Sequence, residues 1–298
     1  MKVSTIYDQG SAPHREDGLI VVGSRVFGVL DGTSAPYAPK SPPRMFDGMS
    51  GGEMVARTCE RFAHIHTTSP DLRNLVLDIN KVVGKVQRDA GVLDDAGELA
   101  GAVLAFAWVD DKSVNIVQAG NCLAIVELKG DTILVTPNQA KRHEEEMRAQ
   151  IKRLQREVAR ELFGLTLEKV PEEHRDTVRS EMWNRFYQPL RNARRRDANN
   201  PASPQGYGIL NGQDALVHLL QEWALPLEEV STLLLVTDGM MPKSVETSSG
   251  EEACRTLLAE FKLGGLAGLL LSARAAEKQI AATNYIKQAE ATAIALVF

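Results

Sequence analysis

Two apolar runs in this chain end on the same dipeptide, and together they narrow the folds open to it. Val26-Phe27-Gly28-Val29-Leu30 leads into Asp31-Gly32, and Leu233-Leu234-Leu235-Val236-Thr237 leads into Asp238-Gly239. Short apolar runs rich in β-branched residues and bounded by turn residues read as buried strands. A buried strand ending in Asp-Gly points a carboxylate out of the sheet edge, and the glycine leaves backbone room for close approach. Two more acidic positions stand far off in sequence: Glu16-Asp17, and Glu290 just before the apolar C-terminal run. Carboxylate oxygens gathered in this way suit hard divalent cations such as Mg²⁺ or Mn²⁺. That is the arrangement a metal-dependent hydrolase needs.

Composition bounds the alternatives. With 44% hydrophobic and 24% charged residues, the 298-residue chain reads as an ordinary soluble globular protein with enough length for a sizeable core. Its net charge of -5 argues against a dedicated nucleic-acid binder. No apolar run approaches the roughly 20 residues of a membrane span. The opening Met1-Lys2-Val3-Ser4-Thr5 lacks the apolar stretch of a signal peptide, so a cytoplasmic address is expected. Cys59, Cys122 and Cys254 have no metal-ligand spacing and sit among apolar neighbours, as reduced core thiols do.

Element by element, the chain reads as strands alternating with helix pairs. Leu19–Val22 and Arg25–Leu30 form a hairpin around a two-residue Gly23-Ser24 connection. Ser50 with Glu53 has capping-box spacing ahead of a helix carrying Met54, Val55, Cys59 and Phe62. A second helix opens at Ser69-Pro70 and repeats apolar residues from Leu72 to Val86 at helical period. Ala102–Val109, Val114–Gln118, Leu123–Leu128 and Thr132–Val135 read as an antiparallel meander joined by tight turns. From about 139 to 205 the composition turns highly charged. One helix starts at His143 and another runs from Arg175 to Arg195, which predicts a helical hairpin inserted into a β core. A helix over Asp214–Trp223, a strand over Ser231–Val236, helices over Glu251–Phe261 and Leu266–Ala282, and a strand over Ala291–Phe298 complete the chain.

In that order the motifs resemble the PP2C (PPM) family of metal-dependent protein serine/threonine phosphatases. The resemblance rests on Arg15-Glu16-Asp17, Val26 to Asp31-Gly32, the Gly51-Gly52 helix start, Gln118 to Ala124, Leu233 to Asp238-Gly239, and Glu290-Ala291-Thr292. These segments span nearly the whole chain apart from the 139–205 insertion, so the resemblance implies one domain over 1–298. It implies an α+β fold: a β-sandwich of two antiparallel sheets flanked by helices (αββα), with the helical hairpin as an addition. It also implies a binuclear Mn²⁺ or Mg²⁺ centre and hydrolysis of phosphoserine or phosphothreonine by a metal-bridging hydroxide. Carried over by position, Asp31 would bridge both metals, with the Gly32 carbonyl and Glu16 completing one ion and Asp238 holding the other. Asp17 would stand behind them, holding bound waters. Two cations about 3.5–4 Å apart neutralise a phosphomonoester and lower the pKa of water between them. The expected partner is a phosphorylated protein substrate, with a cognate kinase as counterpart, on a monomer or weak homodimer. Thr33, where some eukaryotic members carry a histidine, leans the resemblance toward the prokaryotic type.

Three departures qualify it. Counting back from Thr292, the family's last metal aspartate falls on Ala289, with Glu290 beside it as the substitute. Asn121 stands where an aspartate supports a third metal, and Ala12 where a phosphate-binding arginine is usual. Arg15 or His14 is then the candidate for that arginine's role. The alternative is a catalytically weak or inactive relative that acts as a partner-binding regulatory module. The run from Arg191 to Arg196 reads either as a solvated helix end or as a dock for a phosphorylated partner.

Overall fold

A computed structural model describes residues 1–38, 41–66, 71–241, 250–284 and 288–298. Its frame is two five-stranded antiparallel sheets, face to face. The first sheet holds β2 (Gly18–Val22), β3 (Val26–Thr33), β4 (Gly101–Val109), β5 (Ser113–Ala119) and β8 (Gln221–Pro226), in that spatial order. The second runs β1 (Lys2–Asp8), β10 (Ala291–Val297), β9 (Val230–Val236), β6 (Leu123–Leu128) and β7 (Ile133–Val135). Period-two alternation divides the apolar residues between layers. Phe27, Val29, Val103, Ala105, Leu233, Leu235, Ile294 and Leu296 meet between the sheets. Val26, Leu30, Leu104 and Phe106 face outward, onto the helices α1 (Gly51–His66) and α2 (Leu72–Asp89). On the far side, Leu234, Val236, Ala293 and Ala295 take the helix α5 (Gly250–Asn284). The expected αββα sandwich is therefore present.

Several local expectations need correction. Strand β3 continues through Asp31 and Gly32 to Thr33, pairing Asp31 with Val103 and Gly32 with Ala102. Asp31 thus shares the parity of Phe27 and Val29 and turns toward the space between the sheets, at their open end. The β2–β3 hairpin closes with Val22 opposite Val26, so Arg25 belongs to the turn and not to the strand. The meander divides: β4 pairs with β5 and β6 with β7, while Gly120-Asn121 carries the chain from one sheet to the other. The helix expected over Asp214–Trp223 is a short 3₁₀ turn, Asp214–His218, followed by β8. Leu216, Leu219, Leu220 and Trp223 mimic helical spacing, but Trp223 and Leu225 alternate onto the inter-sheet core. The N-terminal strand β1 lies at the sheet edge against β10, and only pairing with β10 reveals it. The cap expected at Ser69-Pro70 lies outside the described residues. The Asp71 carboxylate accepts the Asn74 N–H at 2.9 Å and caps α2.

Helix α5 breaks at Gly265 (φ 62°, ψ −165°), in line with the two helices expected there. Contrary to the sequence reading, a window within Glu252–Lys278 has a mean hydropathy of 1.4 and passes for a membrane span by length and composition. Leu257, Leu258, Leu266 and Leu269 seat on the second sheet, while Leu263 and Leu271 of the same helix are exposed.

The insertion is a helical hairpin of α3 (Lys141–Phe163) and α4 (Arg175–Asp197), with its own apolar seams. Its two ends meet at the base, where His143 Nδ1 lies 2.8 Å from the buried Asp197 carboxylate. Burial pulls the His143 pKa below its ordinary value despite that carboxylate. An ionised carboxylate only accepts, so in this bond Nδ1–H donates to Asp197. Asp197 in turn is held low by Arg196, His143 and Ser203, which outweigh its own burial.

Candidate active site

The carboxylates gather where the sandwich opens. Asp31 arrives on β3, Asp238 heads the turn after β9, and Glu16-Asp17 immediately precede β2. Burial pushes the Asp31 carboxyl well above the usual carboxylate range, with the charges of Asp238, Asp17, Glu144 and Glu16 adding to it in that order. Asp17, with 3% of its surface exposed, is raised to about 7, chiefly by burial and then by Glu290 and Asp238. Two hydroxyls partly offset this: Thr237 donates at 3.0 Å and Thr292 at 2.7 Å to the Asp17 carboxylate. These groups repel one another unless protons or a cation intervene.

The two Asp-Gly glycines serve close backbone approach. A Cβ on Gly32 would lie 2.3 Å from the Glu16 carbonyl and 2.7 Å from that of Gly52. On Gly239 it would lie 1.7 Å from the Glu290 carbonyl. What approaches these glycines is protein backbone, and their small size draws Glu16 against β3 and Glu290 against the turn after β9.

Glu16 is fixed by two hydroxyls, since its Oε1 accepts from Ser34 at 2.5 Å and from Ser50 at 2.6 Å. The Ser50 hydroxyl also accepts the Glu53 N–H at 3.1 Å, the capping bond expected at the start of α1. Glu290 is engaged elsewhere. Its Oε1 accepts the Tyr7 hydroxyl at 2.8 Å, and its Oε2 accepts the backbone N–H of Glu16 at 2.8 Å and of Asp17 at 3.3 Å. It clamps the Glu16-Asp17 segment from behind. Arg15 pairs with Glu60 at 3.2 Å and lies over the Tyr7 ring, 4.6 Å from its centroid. His14 faces Glu53 at 3.7 Å.

The insertion reaches this site through Glu144 and Arg194, to which the sequence reading gave no site role. Asn121 donates to Glu144 of α3 at 2.6 Å, while its Oδ1 is buried without a hydrogen-bond partner. Both residues line two cavities. One, of about 360 Å³, also borders Asp31, Gly32, Thr33 and Arg194, and the other, of about 520 Å³, borders Asp238, Lys141 and Arg148. Arg194 of α4 is buried against Thr33, Ser34 and Leu99. The other arginines of its run are spent on ion pairs: Arg191 with Glu98, Arg195 with Asp95, and Arg196 with Glu146 and Asp197. Arg191 and Arg195 fasten the hairpin to the body and Arg196 ties its two helices together, so the run is neither a bare solvated face nor an open dock. The three cysteines are buried and unbonded, as expected, with burial raising the Cys254 thiol to about 11.

No protein-family model and no curated protein matches the sequence. Solved structures do. A bacterial serine phosphatase superposes with a TM-score of 0.52 at 17% identity, covering 100% of this chain and 97% of its own. The Mycobacterium tuberculosis serine/threonine phosphatase PstP/Ppp gives 0.56 at 12% identity, over 99% and 97%. The PstP catalytic domain in complex with two manganese ions likewise gives 0.56 at 12% identity, over 99% and 96%. The fold is that of the bacterial PP2C-type phosphatases. The whole chain takes part in the match, and the sheet order places Asp31 and Asp238 at one end of the sandwich.

The chemistry of the donor set fits a hard cation: hydroxyl-fixed Glu16, Asp31 pushed up by burial and then by neighbouring carboxylates, the Gly32 carbonyl, and Asp238. Among the described residues, no three carboxylate, imidazole or thiolate side chains already converge as a ligand set. Glu290, the substitute proposed for position 289, spends its oxygens on Tyr7 and the Glu16-Asp17 backbone.

Proposed function

We propose that this chain is a metal-dependent phosphoprotein phosphatase acting on phosphoserine and phosphothreonine. The observation that carries the reading is the gathering of Asp31, Asp238 and Glu16-Asp17 at the open end of a phosphatase-type sandwich, where burial and then the neighbouring carboxylates push the Asp31 carboxyl up. Glu16, Asp31, the Gly32 carbonyl and Asp238 would hold Mn²⁺ or Mg²⁺. When bound, such a cation neutralises phosphoryl charge and makes water a competent nucleophile near neutral pH. The chain's own part is to orient and to hold protons. Ser34 and Ser50 fix the Glu16 carboxylate, and Thr237 and Thr292 fix that of Asp17. Burial raises the Asp17 carboxyl to about 7, and the two hydroxyls hold it in place behind the ligands. A phosphorylated protein as substrate, a cognate kinase, a signalling role and a cytoplasmic address belong to the same proposal.

The test is Mn²⁺ titration by calorimetry alongside phosphate release from para-nitrophenyl phosphate and a phosphothreonine peptide. Asp31→Asn and Asp238→Asn should each abolish turnover, and full activity in both would sink the assignment. A second reading, a weak or inactive relative that binds phosphorylated partners, is favoured by Ala289 and by the engagement of Glu290. It predicts one weak metal and a large gain in metal affinity for Ala289→Asp.

A further inference from the structure

Resting on the phosphoryl-group reading above, we propose that Arg194, delivered by the insertion, is the residue that binds the substrate's phosphoryl oxygens beside Asp31. Arg194 keeps only 8% of its surface exposed, and among the described residues its hydrogen bonds go to no carboxylate. One guanidinium nitrogen donates to the Ser34 carbonyl at 3.1 Å and to the Leu99 carbonyl at 3.5 Å. The other donates to the Thr33 hydroxyl at 2.5 Å. The other three arginines and the aspartate of the 191–197 stretch are ion-paired, which leaves Arg194 as its buried cation with no anion bonded to it. A buried cation with no bonded anion is costly, and the carboxylate that acts on Arg194, Glu16, does so only through space.

Location decides which anion. Arg194 lines the same cavity of about 360 Å³ as Asp31, Gly32 and Thr33, and that volume suits a small ligand. The carboxylates around the cavity, Asp31 and Glu144, would repel a phosphomonoester, and its other polar lining, Asn121, His143 and Tyr207, carries no fixed positive charge. The guanidinium fork matches two phosphoryl oxygens at once, which an ammonium does not. Arg15, the sequence-level candidate for this task, is already committed to Glu60 and Tyr7. Arg194 reaches the cavity because the base of the hairpin is fixed, with His143 on Asp197 and Arg195 on Asp95 on either side of it.

The experiment is calorimetric titration of inorganic phosphate into the full chain with Mg²⁺ present, comparing wild type with Arg194→Gln and Arg194→Lys. Melting temperatures are recorded in phosphate-free buffer. Loss of one charge-assisted pair should weaken phosphate binding about 10- to 100-fold in Arg194→Gln. Arg194→Lys keeps the charge without the fork and should fall between; it carries the test if Arg194→Gln does not fold. If Arg194 only fastens the hairpin, both variants lower the melting temperature and bind phosphate as tightly as wild type, which overturns the proposal. Phosphate failing to bind wild type also overturns it. Turnover is read separately. A wild type without turnover that loses phosphate binding on Arg194→Gln leaves Arg194 standing and removes the phosphatase reading. Turnover with unchanged phosphate inhibition in the variant does the reverse.

Discussion

Replacing Glu290 by alanine separates two roles for one carboxylate. In the structure it accepts three hydrogen bonds, from the Tyr7 hydroxyl and from the N–H groups of Glu16 and Asp17. A hydrogen bond to a charged group contributes about 1.5–3 kcal/mol. Glu290 is half-buried, so the low end applies, and the three together come to about 4 kcal/mol. That is a large share of a typical stability of roughly 5–15 kcal/mol. At about 2 °C per kcal/mol for a chain of this size, the metal-free variant should melt about 8 °C below wild type. Tyr7→Phe removes only the first bond and should cost about 1–2 kcal/mol, with most of that loss vanishing in the Glu290→Ala background. The assay is urea or thermal unfolding of the four metal-free proteins, with Mn²⁺ affinity measured in parallel. A ligand role predicts the opposite pattern. Glu290→Ala would then unfold at the wild-type midpoint without metal and lose Mn²⁺ affinity, and Tyr7→Phe would be uncoupled from it. That outcome would refute the clamp.

The other predictions are shorter. Gly239→Ala should prevent folding to a stable product, read as loss of soluble protein or of the cooperative transition, because its Cβ meets the Glu290 carbonyl at 1.7 Å. Gly23→Ala has open space around it but a φ of +57°, so it should cost only about 1 kcal/mol in the same unfolding assay. Gln87→Leu strips the Ala100 N–H of its acceptor and the Ala100 and Asn211 carbonyls of their donor, and it should cost roughly 2–4 kcal/mol by urea unfolding. The base of the hairpin should weaken in acid. His143 faces Asp197, Arg194, Arg196 and the Tyr207 ring, and burial lowers its pKa from 6.5. The unfolded chain therefore binds the extra proton first, so this contribution is complete above about pH 6.5 and declines as pH falls through that value. His143→Asn should flatten the pH dependence of unfolding between pH 7 and 5, and an unchanged slope would show that His143 does not titrate differently on folding.

Much of the sandwich was legible because its strands are apolar on both faces. β3, β4, β6 and β9 lie between a helix layer and the opposing sheet, so their sequences are unbroken runs that no solvent-facing residue interrupts. β1 and β8 are edge strands, where only one face or part of it is covered. Their alternating patterns are weak enough that β1 drew no notice and β8 passed for helix. The acidic residues at positions 16, 17, 31 and 238 were legible for the same reason, since each stands directly before or at the end of an element. Glu290 illustrates the limit. Its sequence position beside a missing aspartate suggests a ligand, while its role as clamp depends on Tyr7, whose partner lies 283 residues away.

The insertion marks the deeper limit, because nothing in a charged helical hairpin says where its ends will rest. It leaves the body after β7 and returns before β8, two edge strands on different sheets, so its base has to bridge the open end of the sandwich. That end is where Asp31 and Asp238 emerge. The base of the hairpin brings the first turn of α3 and the last turns of α4 to the carboxylates, Glu144 to Asn121 and Arg194 to Thr33. A surface loop of the same length elsewhere would leave the acidic residues open to water. Here the hairpin forms a wall of the cavity beside Asp31, so changes in its sequence reach the site without altering any carboxylate in it. Shortening the hairpin at its tip, between Phe163 and Arg175, should leave the site intact, whereas any change that frees Asp197 from His143 and Arg196 should displace Arg194 and open the cavity.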